Sequence, residues 1–399
     1  MFQKTYKRIH SRRLYGLVLN PLENLTKVIL ISYPDSFRLE EAKSLVESLP
    51  QYKIVKVFTQ KYLDHSKYGM GSGKAEEIKN FVKGSECIGV QQIVVDEHLS
   101  AKQIHNLEKL TEVQVIDRER LILNIFSSRA TTTESKLQIQ LAEIKYQFPH
   151  VRETSKINSG SERPGKGGMG EYEVDVKLRE LKRQMSFIQE KLEYAHRKRE
   201  LYHRQRMETE LPVVSLVGYT SSGKTTLFNL LTESNKETSD DLFTTLSTTT
   251  RSLKIHSNNN NTKVLLVDTV GFISRLPHYM IDAFKSTLEE SLSADLILLL
   301  IDSSESIEDV RIKYSSCWNV LEELKVDKSK VRVLLTKYDD DNMHSEKIEE
   351  VAKDLELYNP IVISSKGGYG IHKLKTMIGH TLLPHNVHPA TATKNRNRL

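Results

Sequence analysis

Short β-branched runs alternate with amphipathic segments along the first part of the chain. Residues 27–31, 53–58, 92–96 and 112–116 form strand-length apolar runs, and 39–49, 74–82 and 101–110 carry apolar residues at helical spacing. This alternation predicts a small parallel sheet covered by helices. After a further segment at 118–127, Leu137, Leu141, Ile144 and Phe148 recur at intervals of four, three and four, which places one apolar stripe on a helix over 134–147. Residues 154–170 are rich in Ser, Gly, Lys and Pro and read as a loop. Beyond them Leu178, Leu181, Met185, Ile188, Leu192 and Ala195 keep a three-four alternation on a helix otherwise filled with Lys, Arg, Gln and Glu. One narrow seam implies one partner helix. The 134–147 stripe is the candidate for an antiparallel pair, and a domain surface or a second copy of the chain is the alternative. From 211 to 383 the alternation returns, with strands expected at 213–217, 252–256, 263–267, 296–301, 332–335 and 360–363 and a four-asparagine hairpin turn at 258–261.

Composition narrows this picture. The 399 residues can fill two to three domains with cores of their own. The densest apolar stretch, 296–301, is far shorter than the ~20 residues of a membrane helix. Residues 1–15 are basic and lack an apolar core, so no secretory signal is read and a cytoplasmic location is expected. Cys87 and Cys317 are the only cysteines, which excludes a disulfide framework or a cysteine-rich zinc site. The net charge of +6 is modest, but basic residues gather at 4–13, at Arg163 and Lys166, over 177–206 and at 394–398. Such clustering suits contacts with nucleic acid phosphates, although a charged helix is more often a solvated face.

The chemistry is concentrated in the second half of the chain. Gly218-Tyr219-Thr220-Ser221-Ser222-Gly223-Lys224-Thr225 is a complete Gly-x-x-x-x-Gly-Lys-Thr phosphate loop between the 213–217 strand and a helical pattern at 227–231. In such a loop backbone N–H groups face the phosphates, Lys224 reaches their outer oxygens and the Thr225 hydroxyl ligates Mg²⁺. Asp268-Thr269-Val270-Gly271 follows the 263–267 strand, placing Asp268 where it would hold an Mg²⁺-bound water and the Gly271 amide where it would meet a γ-phosphate. Thr336-Lys337-Tyr338-Asp339 follows another strand, and its carboxylate suits the N1–H and N2–H donors of guanine, which adenine lacks; the Lys337 stem would pack along the base. Ser364-Ser365-Lys366 supplies a last loop whose amide would meet the guanine O6. Four such strings in order, each at a strand's carboxyl end, form a GTPase core, because open α/β sheets bind ligands there. A switch is expected between the phosphate-loop helix and 252–256, within Phe243-Thr244-Thr245-Leu246-Ser247 or Thr248-Thr249-Thr250-Arg251; spacing alone does not choose the threonine. Two positions depart from common GTPases. Thr336 stands where asparagine is usual, so weaker nucleotide affinity is expected, and Phe272 stands where many place a water-orienting glutamine, so slow unassisted turnover is expected. The stretch 69–74 is a poor second phosphate loop, since Tyr68 lies six before Lys74 and Ala75 lacks a hydroxyl; a structural or RNA-contacting turn is the better reading.

These residues carry a resemblance. Gly218-Tyr219-Thr220, residues 242–246, Asp268 through Ile273, Leu276-Pro277, Ala283-Phe284 and Thr287 through Glu290 resemble the HflX family of ribosome-associated GTPases, as do Asp117-Arg118, residues 122–126, Arg129-Ala130-Thr131, Lys136-Leu137-Gln138, Gly71-Ser72-Gly73-Lys74 with Glu77, and Gly168 through Glu171. The resemblance covers about residues 26–382. It implies an α/β protein in which a basic segment 1–25 precedes an N-terminal parallel α/β domain 26–128. A helical pair 129–210 with its glycine-rich linker 154–170 and a Ras-like P-loop GTPase domain 211–383 complete it, and the polar composition of 384–399 reads as a disordered tail. By similarity Thr245 is the switch threonine that joins Thr225 on Mg²⁺, so Lys224, Thr245 and Gly271 would carry the chemistry. The resemblance further implies GTP-dependent binding to the large ribosomal subunit and its rRNA, with a role in ribosome splitting, rescue or recycling. An assembly or general RNA factor is the alternative, a P-loop metabolic kinase is disfavoured, and a monomer is expected. The Thr336 departure, the Asp175 and Lys177 positions, and a chain read as carrying no further domain after Leu383 are where the family pattern is left.

Overall fold

The computed structural model describes residues 25–84, 89–159, 169–207, 211–234, 242–243, 248–257, 260–339 and 345–382. In the first unit β1 (Thr26–Ser32), β2 (Tyr52–Thr59), β3 (Val90–Val95) and β4 (Gln114–Asp117) form a parallel sheet in the order β2-β1-β3-β4. Parallel neighbours need crossovers. These are α1 (Ser36–Glu47), α2 (Ser72–Lys83) and α3 (Ala101–Thr111). The last strand opens two residues later than its apolar run because Glu112, at φ 61°, caps α3 in the left-handed conformation. Asp117 then ends β4 and at once caps α4 (Arg118–Arg129), its carboxylate accepting the Arg120 N–H at 2.8 Å. Only residues 69–71 of the 69–74 stretch precede α2; Ser72, Gly73 and Lys74 form its first turn, and Lys74 pairs with Glu77 at 2.7 Å.

Two long helices follow, α5 (Thr133–Ser159) and α6 (Met169–Met207). The first runs beyond the expected 147 and through Pro149, and the second begins inside the expected loop. Proline removes a backbone donor from a helix interior. Contacts on both sides of Pro149 keep the helix going: the Tyr146 hydroxyl donates to Asp117 at 3.2 Å, and Val151 packs in the seam between the two helices. Leu141, Ile144, Leu181 and Ile188 are buried in that seam, with Leu137, Phe148, Met185 and Leu192 beside them. The partner of the α6 stripe is therefore α5.

The second sheet contains β5 (Val213–Gly218), β6 (Thr249–Ser257), β7 (Asn260–Asp268), β8 (Leu296–Asp302), β9 (Val331–Thr336) and β10 (Ile361–Val362), in the order β10-β9-β8-β5-β7-β6. Only β6 and β7 pair antiparallel, as the hairpin reading of 258–261 expects; residues 258 and 259 lie outside the described residues. Around the sheet lie α7 (Lys224–Thr232), α8 (His278–Leu292), α9 (Ile307–Glu323), α10 (Ser345–Asp354) and α11 (Ile371–Leu382). The all-apolar body of β8 is buried along its length because separate apolar clusters cover its two faces. One of these clusters does not stop at the sheet. It runs from Val28, Leu30 and Leu45 through Phe126 to Tyr219, Phe243, Phe272 and Phe284, so the first unit shares a core with the end of the second sheet that carries the phosphate loop. Among the described residues no helix is long and apolar enough to cross a membrane.

Candidate functional site

The phosphate loop leaves β5 at Gly218. Its φ of +153° and its closeness to β8 both require glycine: an added Cβ would stand 2.5 Å from the Leu300 carbonyl oxygen. Lys224 opens α7 and is buried, its Nζ donating to the carbonyls of Gly218 at 3.1 Å and Tyr219 at 2.6 Å. The hydroxyls of Thr220 and Ser222 are buried with no hydrogen-bond partner in the protein. A helix N-terminus, a buried ammonium and two orphaned hydroxyls at one loop make a cradle suited to an oxyanion.

Burial pushes the Lys224 ammonium down to about 8, against the attraction of Asp268. A bound phosphate would restore the charge. Between pH 8 and the usual lysine range the empty site is largely deprotonated, so nucleotide binding there takes up a proton, whereas at pH 6.5 Lys224 already carries it. Calorimetric titration with GDP at pH 8.5 in buffers of different ionisation enthalpy should show uptake of up to about one proton, fading toward pH 6.5. Equal heats in all buffers at both pH values would contradict this.

Asp268 ends β7 fully buried, and its Oδ2 accepts the Thr225 hydroxyl at 3.1 Å. An alcohol and a carboxylate side by side are the hard oxygen donors that Mg²⁺ takes, directly or through water, so the residues fit that ion. The Thr269 hydroxyl donates to Leu216 at 2.7 Å and pins the next segment to β5. Gly271 then crosses the phosphate loop so closely that an added Cβ would lie 2.9 Å from Thr220 Cα and 3.1 Å from Lys224 Nζ. Val270 is half-buried, and Phe272 is buried in the shared core while its backbone bridges to the loop, donating to Gly218 at 3.0 Å and accepting from Thr220 at 2.8 Å.

At the end of β9, the Thr336 hydroxyl donates to the Ser222 carbonyl at 2.9 Å with the Ile301 carbonyl at 3.1 Å. It thus ties this loop to the phosphate loop, sharing one proton where an asparagine amide would offer two. Lys337, at φ 61°, sends its Nζ to Asp302 at 2.7 Å, which extends its stem toward the end of β8. Ser364 donates to Asp339 Oδ1 at 2.5 Å and accepts the Gly367 N–H at 2.7 Å, orienting the carboxylate. The rings of Tyr338 and Tyr369 meet at 5.0 Å between centroids, Ser365 is half-buried, and Lys366 is exposed.

The four strings expected from sequence thus converge on one end of the sheet. Thr244, Thr245, Leu246 and Ser247 lie outside the described residues. Phe243 does not face the pocket with its ring. It is buried edge-on against Phe126 of α4 at 4.7 Å, because an apolar ring beside the shared core gains more there than beside phosphates. Sequence reading missed Asp302, whose signal is a lone carboxylate ending the apolar run of β8, and it missed Glu41 and Asp96, which have no local spacing that would mark them; Arg118 enters it only as part of the Asp117-Arg118 resemblance, without a role.

A mostly parallel six-stranded sheet with a phosphate loop after β5, a buried aspartate after β7 and a carboxylate-bearing loop after β9 defines a P-loop GTPase. Residues 36–127, 129–206 and 213–337 match family models described as "GTP-binding GTPase N-terminal", "GTP-binding GTPase Middle Region" and "50S ribosome-binding GTPase". The GTPase HflX of Methanocaldococcus jannaschii is 38% identical over 86% of this chain and 83% of its own length. That of Thermofilum pendens is 36% identical over 90% and 83%, and that of Escherichia coli 36% over 84% and 77%. A crystal structure of SsGBP with GDP aligns at 28% identity over 88% of this chain and 96% of that one, with a TM-score of 0.49. The chain belongs to the HflX family of GTPases, and it is a GTP hydrolase.

Proposed function

We propose that this GTPase binds the large ribosomal subunit through its rRNA in the GTP state and acts in ribosome splitting, rescue or recycling, as a cytoplasmic monomer. Support comes chiefly from an exposed flank of α6 that borders its cleft with α5, together with the ribosome-binding description of the model matched by 213–337. Phe187 and Tyr194, 56% and 70% exposed and seven residues apart, stand on that flank with Lys191 Nζ 4.2 Å from the Phe187 ring centroid and Arg183 and Lys198 also exposed. Exposed rings interleaved with cations suit stacking on bases and pairing with phosphates.

In this reading the protein is divided at residues 26–128, 129–210 and 211–383, flanked by 1–25 and 384–399. The amides from Gly218 to Thr225 wrap the phosphates, Lys224 bridges their outer oxygens, and Thr225 and Thr245 hold Mg²⁺. When bound, that ion would supply neutralisation of the phosphate charge. Thr269, Val270 and Gly271 carry the γ-phosphate contact, while Thr336 to Asp339 and Ser364 to Lys366 enclose guanine. Phe272 supplies neither donor nor acceptor to a water, so unassisted turnover is slow and the ribosome speeds it.

The test is capture with a non-hydrolysable GTP analogue. Stoichiometric sedimentation with mature large subunits, absent with GDP and weakening as salt rises, is expected. Preferential capture of assembly intermediates would instead favour the assembly-factor reading.

A further inference from the structure

The phosphate loop is gripped from outside its own domain. Glu41, on α1, is 7% exposed, and its two carboxylate oxygens are fully engaged. Oε1 accepts the Tyr219 hydroxyl and, at 3.1 Å, the Ser274 N–H; Oε2 accepts the Ser274 hydroxyl at 2.5 Å and Arg118 Nη2 at 2.7 Å. Arg118, itself buried, also donates to the Ser274 carbonyl at 3.0 Å and to Asp96 at 2.5 Å. Arg275 joins the same cluster, donating to Asp96 Oδ2 at 3.0 Å and Glu97 at 3.2 Å. Burial opposes the Glu41 charge, but Arg118 and the hydroxyl donors outweigh it and hold the carboxyl below its ordinary range. Three elements of the first unit thus hold two neighbours in the second: Tyr219, inside the phosphate loop, and Ser274–Arg275, three and four residues beyond Gly271.

The grip matters because of what lies between those two points. Gly271 rests on Thr220 and on the Lys224 ammonium, and the Phe272 backbone is stitched to Gly218 and Thr220. A γ-phosphate that takes both the Lys224 ammonium and the Gly271 amide enters at this contact and must open it, whereas a diphosphate, ending one phosphoryl group short, need not. We propose that Glu41 and Arg118 are positioning residues that, through Ser274 and Tyr219, hold Gly271 down on the phosphate loop and so set how strongly the site prefers GTP over GDP. The proposal rests on the reading of Gly271 as the γ-phosphate contact. Opening toward GTP draws Ser274 and Arg275 away from Glu41 and Asp96, so the first unit senses the third phosphate directly.

Glu41→Gln and Ser274→Ala each loosen the latch, the second by removing a single hydroxyl that Glu41 accepts. Fluorescent GDP and a fluorescent non-hydrolysable GTP analogue, titrated into the full-length protein and each variant, read the preference. Both variants should raise affinity for the triphosphate about tenfold, the effect expected of one lost hydrogen bond to a charged group, while affinity for GDP stays within about twofold. The double variant should gain less than the sum, since both act on one contact. An unchanged GTP to GDP ratio in Ser274→Ala, or a parallel loss of both nucleotides in a variant whose melting temperature matches the parent, overturns the proposal. Equal affinity for the triphosphate and GDP in the parent and in both variants alike would instead remove the γ-phosphate reading beneath it.

Discussion

Replacing Lys224 by alanine is expected to lower kcat/KM for GTP by about 10³ while leaving the protein folded, since preorganised cations on a transferring phosphoryl group supply stabilisation of that order. The ammonium is buried, aimed at the loop's own carbonyls, and lies beside Gly271. It has no ion-paired role in holding the domains together, because the interdomain network uses Glu41, Asp96, Arg118 and Arg275 instead. The sign of the folding effect follows from its depressed pKa. Below about 8 the folded protein carries a charge that burial disfavours, and stability gains as pH rises from there toward the usual lysine range. Removing the ammonium at pH 7 therefore costs little stability and mainly leaves two carbonyls short of a donor. Turnover and thermal melting measured together check this. A variant within tenfold of the parent's kcat/KM would refute the role assigned to Lys224.

The second large effect is expected at Asp339. Its Oδ1 accepts from Ser364, which orients the carboxylate, and Lys337 is stretched beside it by Asp302. Asp339→Asn replaces an acceptor pair by one acceptor and one donor, which opposes the guanine N2–H. A site built on such bonds loses on the order of 10⁴ when the match fails. Xanthine carries an oxygen acceptor at that place, so xanthosine triphosphate should become the better substrate of the variant. Competition between the two nucleotides measures the switch, and a variant that keeps its preference for GTP would show that guanine is read elsewhere.

How much of this was legible follows from where each interaction lies along the chain. The phosphate loop, Asp268–Gly271 and Thr336–Asp339 each carry their chemistry within a few consecutive residues at a strand end, so motif and period together locate them. The tie from Thr336 to Ser222 could be anticipated from the hydroxyl alone. The extent of α5 could not, since Pro149 argues locally for a break and only Tyr146 and Val151, packed on distant partners, override it. Phe243 sits next to threonines that invite a phosphate reading, but its environment is set by Phe126, more than a hundred residues away. The latch is the extreme case. Glu41 and Ser274 are separated by 233 positions, and neither stands in a pattern that would pair them.

GTP turnover with and without purified large ribosomal subunits, across several salt concentrations, tests the central claim most directly. Slow basal turnover, strong stimulation by the subunit and loss of that stimulation as salt rises are expected, because Phe272 offers no help to water and the proposed rRNA contact of α6 runs through its cations. Turnover that ignores the subunit at every salt concentration would leave a GTPase whose partner is not the ribosome.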